Sequence, residues 1–294
     1  MFLGKYKMML GSDCKLIYNA KDYHRKRLKV LEKEKYIRRI NKFYIKLDDR
    51  GTRMVKDFGY DYNFSCRRKE YVDRLNEVAR IAALTIDSNI DFIASWNLKD
   101  NNVFTQTSRK YLGKLTYQLK DRMVYYISKD KQITYISQII NDIQKLIEYK
   151  DIIIFIENIR ILNNDKSFVF GKETTLIINP TIHNLSIMRK LEKIDIYQIV
   201  KKIYNDKEIL LSNWKKADYM TEDRKYIILM PFIDTEKLHK LNLFYRNNQK
   251  INRKIDIITL KENKEIIEDI LTNKTNIIEI DNWLGGINED KEKG

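Results

Sequence analysis

Residues 22–59 read DYHRKRLKVLEKEKYIRRINKFYIKLDDRGTRMVKDFG, and this stretch decides how the rest of the chain is interpreted. After Asp22, a residue type that favours helix N-termini, apolar side chains recur at helical spacing. They are Leu28, Leu31 and Tyr36. The pattern predicts a helix over residues 22–35 with one side facing a core and a basic opposite side.

Two short aromatic and β-branched runs follow this helix, at residues 36–40 and 43–47. Asn41 and Lys42 separate them and suit a two-residue turn, so the runs predict a β-hairpin. Asp48 and Asp49 then open a third element, a short helix that ends at Phe58 and Gly59 because glycine favours the position after a helix.

Residues 1–20 are expected to complete the same folded unit. Phe2, Tyr6, Met9 and Leu10 predict one helix ended by Gly11. Ser12 or Asp13 then caps a second, short helix, and residues 19–21 form the turn before the basic helix. Helices followed by a hairpin are the outline of a winged helix-turn-helix, which we predict for residues 1–68.

Positive charge is concentrated in this region. Residues 21–56 hold 14 Lys or Arg against five Asp or Glu, whereas the whole chain holds 56 against 41. A basic surface on a small folded unit is typical of nucleic-acid binding, because cations that neutralise phosphates release bound counterions. The alternative is a solvated helix face in a chain whose lysine content is raised throughout by an AT-rich coding sequence.

Residues 69–284 predict an α/β domain, and the charged residues 285–294 a flexible tail. Strands are expected at residues 91–96, 122–127, 151–156, 175–179, 226–230 and 254–260. Helices are expected at residues 71–86, 131–149, 181–193, 196–204, 234–245 and 261–271. This alternation favours a mostly parallel sheet covered by helices. The helix at 71–86 either supports the N-terminal domain or begins the second one.

Several classes of protein are not indicated. The chain has no GxxxxGK phosphate-binding loop, its three histidines are isolated, and Cys14 and Cys66 form no CxxC pair. No apolar run is long enough to span a membrane, and no signal-peptide core is present. We therefore expect a cytoplasmic protein that needs no cofactor or metal and does not bind a membrane.

A metal-dependent nuclease is the enzymatic alternative. Restriction-type sites need an Asp and, on the next strand, a Glu or Gln two residues before a Lys, so that carboxylates hold Mg²⁺. Two incomplete matches occur. They are Asp91 with Asn97-Leu98-Lys99, and Gln118-Leu119-Lys120 followed by Asp121. Asp91, Lys99, Gln118 and Lys120 are the weak catalytic candidates, and Mg²⁺ is expected only if they act.

The chain also resembles the replication-relaxation family of plasmids and conjugative elements over roughly residues 12–156. The resemblance rests on RKRLKVLEKEKYIRR, FYIKLDDRGTRMV, YVDRLNEVARIAAL, FIASWNLK and MVYYIS. It implies a winged-helix DNA-binding protein of plasmid replication or transfer, with a second domain similar to a degenerate restriction-endonuclease fold. Asn97 departs from the pattern of an active nuclease.

We therefore expect sequence-selective binding of double-stranded DNA in replication initiation or conjugative transfer, with a nuclease or a transcriptional regulator as alternatives. A relaxase or a replication protein is a second candidate partner, and a homodimer a candidate assembly. The N-terminal turns of the basic helix should reach the major groove, and the hairpin should meet phosphates. The candidate DNA-binding residues are Lys21, Tyr23, Arg25, Lys26, Arg27, Lys29, Lys33, Arg38, Arg39, Asn41, Lys42 and Lys46.

Overall fold

The chain forms two compact units, unit 1 (residues 1–121) and unit 2 (residues 122–294). The structure, a computed structural model, describes residues 1–18, 22–64, 68–86, 90–98, 110–117, 119–131, 133–145, 151–161, 174–193, 195–205, 207–247, 253–271 and 275–284. The sequence predicts a boundary after residue 68, whereas this division lies after residue 121. The predicted tail at residues 285–294 lies outside the described residues.

Unit 1 contains four helices and five strands among its described residues. The helices are α1 (Phe2–Tyr6), α2 (Tyr23–Lys33), α3 (Asp49–Asp57) and α4 (Lys69–Leu84). The strands are β1 (Met8–Leu10), β2 (Ile37–Ile40), β3 (Tyr44–Leu47), β4 (Asp91–Ala94) and β5 (Gly113–Tyr117). A 3-10 turn, Asp13–Leu16, lies between β1 and α2.

The segment before α2 differs from the prediction. The single helix expected over residues 2–10 is wrong, because α1 ends at Tyr6 and Lys7 has a positive φ of 70°. Met8 and Met9 are fully buried in β1, which pairs antiparallel with β3. The three strands lie in the order β1-β3-β2, so the hairpin completes a small sheet with the first strand.

The hairpin is confirmed, but three residues connect its strands in place of the predicted two, because Ile40 lies opposite Tyr44. β2 and β3 pair antiparallel, with Arg38 opposite Lys46. Asn41 and Lys42 have φ values of 49° and 65°, as a type I′ turn requires of its two central residues, and Phe43 N–H donates to Ile40 O at 3.2 Å. Gly59 follows α3 with a φ of 80°, the conformation for which glycine was expected there.

The helix α4 packs on the three-stranded sheet. The Leu10 N–H donates to Asn76 Oδ1 at 2.7 Å, and the Tyr44 hydroxyl donates to Asp73 Oδ1 at 3.4 Å. The predicted apolar side of the helix is buried, including Leu75, Val78 and Ala79. Of the two roles left open by the sequence, α4 therefore supports the N-terminal fold.

Unit 2 begins inside strand β6 and alternates helices with strands. The strands are β6 (Lys120–Ile127), β7 (Asp151–Ile156), β8 (Thr174–Ile178), β9 (Ile209–Leu211), β10 (Tyr219–Thr221), β11 (Tyr226–Leu229), β12 (Ile233–Asp234), β13 (Ile255–Thr259) and β14 (Asn276–Glu279). The helices are α5 (Ile133–Lys145), α6 (Ile182–Lys193), α7 (Ile196–Ile203), α8 (Thr235–Asn247), α9 (Lys264–Leu271) and α10 (Asp281–Leu284).

The strands of unit 2 belong to two mixed sheets, so the expectation of a single mostly parallel sheet is wrong. In one, β6, β7 and β8 are parallel and β12 joins β8 antiparallel. In the other, the order is β14-β13-β11-β10-β9, with the first three parallel. Pro231 lies between β11 and β12, where the chain passes from one sheet to the other. The protein is thus a mixed α+β chain.

No helix in the described part of the chain combines the length and apolar character needed to cross a membrane.

Two helix N-termini give a matched test of capping. Asp195 accepts a hydrogen bond from the Tyr197 N–H at 3.0 Å at the start of α7, whereas Asp22 precedes α2 with a φ of 62° and makes no capping bond. Asp195→Ala should lower the free energy of unfolding by about 1 kcal/mol, because one backbone donor loses its partner. Asp22→Asn should change it much less, because no capping bond is lost and asparagine tolerates the left-handed conformation. Urea denaturation followed by circular dichroism measures both, and equal losses would contradict the assignment.

Candidate nucleic-acid interface

The exposed side of α2 carries three lysines in one row. Leu28 faces the core, whereas Lys26, Lys29 and Lys33 are exposed. Their spacings of three and four residues bring them onto one helix face, because an α-helix turns once every 3.6 residues. We call Lys26, Lys29 and Lys33 the lysine row.

The lysine row lacks acidic partners in the part of the chain that the structure describes. Within the described ranges, none of the three forms an ion pair with an Asp or Glu. The same holds for Arg27 on α2 and for Lys42 at the hairpin turn, both exposed. These five cations can therefore bind an external anion without first breaking a salt bridge.

The three other arginines predicted to bind DNA have acidic neighbours. Arg25 Nη1 lies 3.6 Å from Asp22 Oδ1, and Arg38 Nε lies 3.8 Å from Asp48 Oδ1. Both pairs are long and involve exposed arginines, and such pairs add little stability. Phosphate can compete for these two arginines at small cost.

Arg39 is held more tightly than the others. Its Nε lies 2.7 Å from Glu32 Oε1, so it joins β2 of the hairpin to α2. The sequence-based prediction that Arg39 contacts a phosphate did not anticipate its ion pair with Glu32. Arg39 therefore orients the hairpin on the helix, and any phosphate contact by its guanidinium has to share it with Glu32.

The remaining candidates differ in exposure. Tyr23 is half exposed and packs edge-on against Tyr18 with ring centroids 5.6 Å apart, while Asn41 is exposed at the turn. Lys46 is partly buried, with its Nζ 5.0 Å from the centroid of the Phe64 ring. Burial and, secondarily, the charge of Arg38 lower the pKa of Lys46. Lys21 lies outside the described residues.

The structure adds residues that the sequence-based choice of candidates omitted. Phe43 projects from the hairpin with 66% of its surface exposed, next to Lys42. Arg53 and Lys56 are exposed on α3. Both belong to the basic stretch counted in the sequence. They could be named as candidates only after the structure showed that α3 exposes them.

Of the four nuclease candidates, two lie within the described residues. Asp91 is exposed at the start of β4, opposite Thr116 on β5, and Lys120 is exposed at the start of β6. Lys99 and Gln118 lie outside the described residues. The neighbouring Asp121 accepts from Lys114 Nζ at 2.6 Å and from Thr116 Oγ1 at 2.7 Å, and these hydrogen bonds lower its pKa.

Metal ligands are not brought together in the part of the chain that the structure describes. No group of three or more His, Cys, Asp or Glu side chains there is arranged to hold a metal ion. The catalytic roles of Asp91 and Lys120 therefore stay predictions.

Cys14, the cysteine that falls within the described ranges, is a buried free thiol. Burial raises its pKa to about 12, with the charge of Asp13 adding to the shift. The thiolate is therefore scarce at neutral pH, and Cys14 acts as a small buried core residue.

The chain was compared with family models, curated proteins and solved structures, and none of the three comparisons found a match.

Proposed function

We propose that unit 1 binds double-stranded DNA, with α2 in the major groove and the β2–β3 hairpin on the phosphate backbone. The observation that carries this proposal is the lysine row, three exposed lysines on one helix face that have no acidic partner among the described residues. Duplex DNA presents about one negative charge per 1.7 Å along its axis, so such a row can contact several phosphates at once.

The order of elements supports a winged-helix reading. Helix, strand, short 3-10 turn and basic helix precede the hairpin, and strand β3 lies between β1 and β2 in the small sheet. The second helix of a helix-turn-helix enters the groove with its N-terminal residues nearest the bases. In this arrangement Tyr23, Lys26 and Lys29 face the groove.

The hairpin would then act as the wing. Arg38, Asn41 and Lys42 are exposed on it and would contact phosphates, with Arg39 and Lys46 as partly engaged neighbours. Phosphate contacts fix register and orientation, whereas base contacts provide sequence selectivity. The resemblance to replication-relaxation proteins suggests that the duplex is an origin of replication or transfer on a mobile element, where a relaxase or a replication protein would be the second partner.

Capture of genomic DNA tests this proposal. Purified full-length protein is mixed with sheared DNA of the host and its mobile elements, and the bound fragments are sequenced. We expect a small number of enriched sites, with one beside an origin of replication or transfer, and affinity that falls steeply between 50 mM and 200 mM salt as phosphate contacts require.

Two results would contradict the proposal. Absence of any bound duplex at 50 mM salt would remove DNA binding, and uniform recovery of all fragments would remove sequence selectivity. Enriched sites at promoters of the mobile element, with none at origins, would favour a transcriptional regulator.

A further inference from the structure

A polar cleft of about 450 Å³ lies in unit 2 where strands of both sheets end. Its polar lining comes from the segments that follow the carboxyl ends of four strands, β7, β8, β13 and β14. The polar residues of its lining are Arg160, His183, Asn184, Lys261, Glu262, Glu265 and Asp281. Ligands of open α/β sheets bind outside the carboxyl ends of strands, and small-molecule sites have volumes of about 300–1,000 Å³.

Glu262 supplies a fixed acceptor in this cleft. Asn184, which is only 1% exposed, donates from Nδ2 to Glu262 Oε1 at 2.5 Å and to Asn179 O at 2.9 Å. The Asn184 N–H is itself held by Thr181 Oγ1 at 3.1 Å, so the amide has a defined position. Burial and, secondarily, the charge of Asp281 raise the pKa of Glu262. A further hydrogen-bond donor would stabilise its charged form.

His183, Lys261 and Arg160 also line this cleft. His183 Nε2 lies 3.1 Å from Asp281 Oδ1, and Asp281 Oδ2 accepts from the Lys261 N–H at 2.8 Å, so Asp281 orients both segments. Arg160 Nη2 is 3.9 Å from Glu265 Oε2, and both side chains are exposed, which leaves the guanidinium only weakly held. Besides Glu262, the lining of the cleft therefore offers the side chains of Arg160 and Lys261 together with the carboxylates of Glu265 and Asp281.

We propose that this cleft binds a guanine mononucleotide, with the base at Glu262 and the phosphate at Arg160 and Lys261. Guanine presents two adjacent donors, N1–H and the N2 amino group, that match one carboxylate. Adenine offers its amino group beside a ring acceptor, which a carboxylate would repel. His183, held by Asp281, contributes a ring beside the phosphate or sugar. This inference concerns unit 2 and does not depend on DNA binding by unit 1.

Calorimetric titration of the full-length protein with GMP, AMP, CMP and UMP tests the proposal. GMP is expected to bind at least tenfold more tightly than the other three. Glu262→Gln, which keeps an oxygen to accept from Asn184, should weaken GMP binding at least tenfold. The matched control is Glu236→Gln, an exposed glutamate on α8 that pairs with Lys240 and should leave GMP binding unchanged.

A second pair of variants tests the phosphate end of the ligand. Arg160→Ala combined with Lys261→Ala should weaken binding of GMP at least tenfold but change binding of guanosine less than twofold. Circular dichroism and the thermal unfolding temperature of each variant establish that it is folded. A short single strand, d(TTGTT), distinguishes a free nucleotide from an unpaired guanine in nucleic acid, and GMP should bind the cleft more tightly.

Three outcomes would overturn the proposal. They are no binding of any mononucleotide at millimolar concentration, equal binding of all four, or GMP binding that Glu262→Gln leaves intact. Tighter binding of d(TTGTT) that is lost in Glu262→Gln would replace the mononucleotide with a nucleic-acid strand. Duplex affinity measured on the same variants should stay unchanged, so failure here is distinguishable from failure of DNA binding by unit 1.

Discussion

Replacing Gly51 with alanine should lower the free energy of unfolding of unit 1 by about 3 kcal/mol, near the upper end of the usual cost of overpacking. Gly51 is buried in α3, and an added Cβ would lie 2.0 Å from the carbonyl oxygen of Tyr36 and 3.1 Å from Leu47 Cδ2. The oxygen belongs to the backbone, so no side-chain rotation relieves the clash. That oxygen also accepts from the Asp48 N–H at 3.0 Å, and moving α3 away would strain this bond.

Urea denaturation followed by fluorescence and circular dichroism measures the loss. Gly59→Asn is the matched control, because Gly59 has a φ of 80° with no heavy atom near its added Cβ, and asparagine tolerates that conformation. The control should change stability by less than about 1 kcal/mol. If Gly51→Ala unfolds at the same urea concentration as the control, the close packing of α3 on the hairpin is not present in solution.

The double variant Lys26→Ala, Lys29→Ala should weaken duplex binding by roughly tenfold to a hundredfold at 0.1 M salt, because each phosphate contact contributes about 0.9 to the logarithmic salt slope. The two lysines are exposed on α2 and have no acidic partner among the described residues, so their removal leaves no buried charge behind. Folding should therefore be preserved. The slope of log affinity against log salt should become flatter by roughly one unit for each phosphate that the variant no longer neutralises.

Fluorescence anisotropy with a labelled duplex at several salt concentrations gives both quantities. Lys202→Ala with Lys207→Ala is the control, since it removes the same charge from two exposed lysines of unit 2. It should leave the slope within about half a unit of the unmodified protein, because a change of one unit marks one phosphate contact. Equal effects of the two double variants would mean that net charge, and not the lysine row, determines affinity.

Local signals predicted the centre of unit 1 well. The spacing of apolar residues placed α2, the pair Asn41 and Lys42 placed the turn, and Gly59 placed the end of α3. Met8 and Met9 were assigned to a helix because two adjacent methionines fit a helix or a strand equally well. Met8 and Met9 pair with Lys46 and Ile45 of β3, which lie 38 and 36 residues further along the chain, and pairing over such a distance leaves no local pattern in the sequence.

In the second half of the chain, too, local patterns predicted single elements but not the pairing of distant strands. The apolar run of β7 was predicted at its observed bounds, because a buried parallel strand is apolar on both faces. The sequence did not predict that the strands divide between two sheets, because this division depends on which distant strands pair. The three-residue strands β9 and β10 were missed because they are shorter than any periodic pattern can reveal.

The basic, exposed face of α2 was predictable from the sequence, whereas the ion pairs of the neighbouring arginines were not. The count of charges between residues 21 and 56 identified the basic face, and the exposed lysine row agrees with it. The pairing of Arg39 with Glu32 could not be read from the sequence, because it depends on how the hairpin folds back onto α2. The polar cleft of unit 2 was missed since its residues come from four separate strand ends.

The hairpin turn holds two consecutive residues in the left-handed region, and neither is glycine. Asparagine tolerates this conformation, but for lysine it costs roughly 1–2 kcal/mol that glycine would largely avoid. Thermodynamic stability alone would favour glycine at this position, whereas the lysine places an exposed positive charge at the tip.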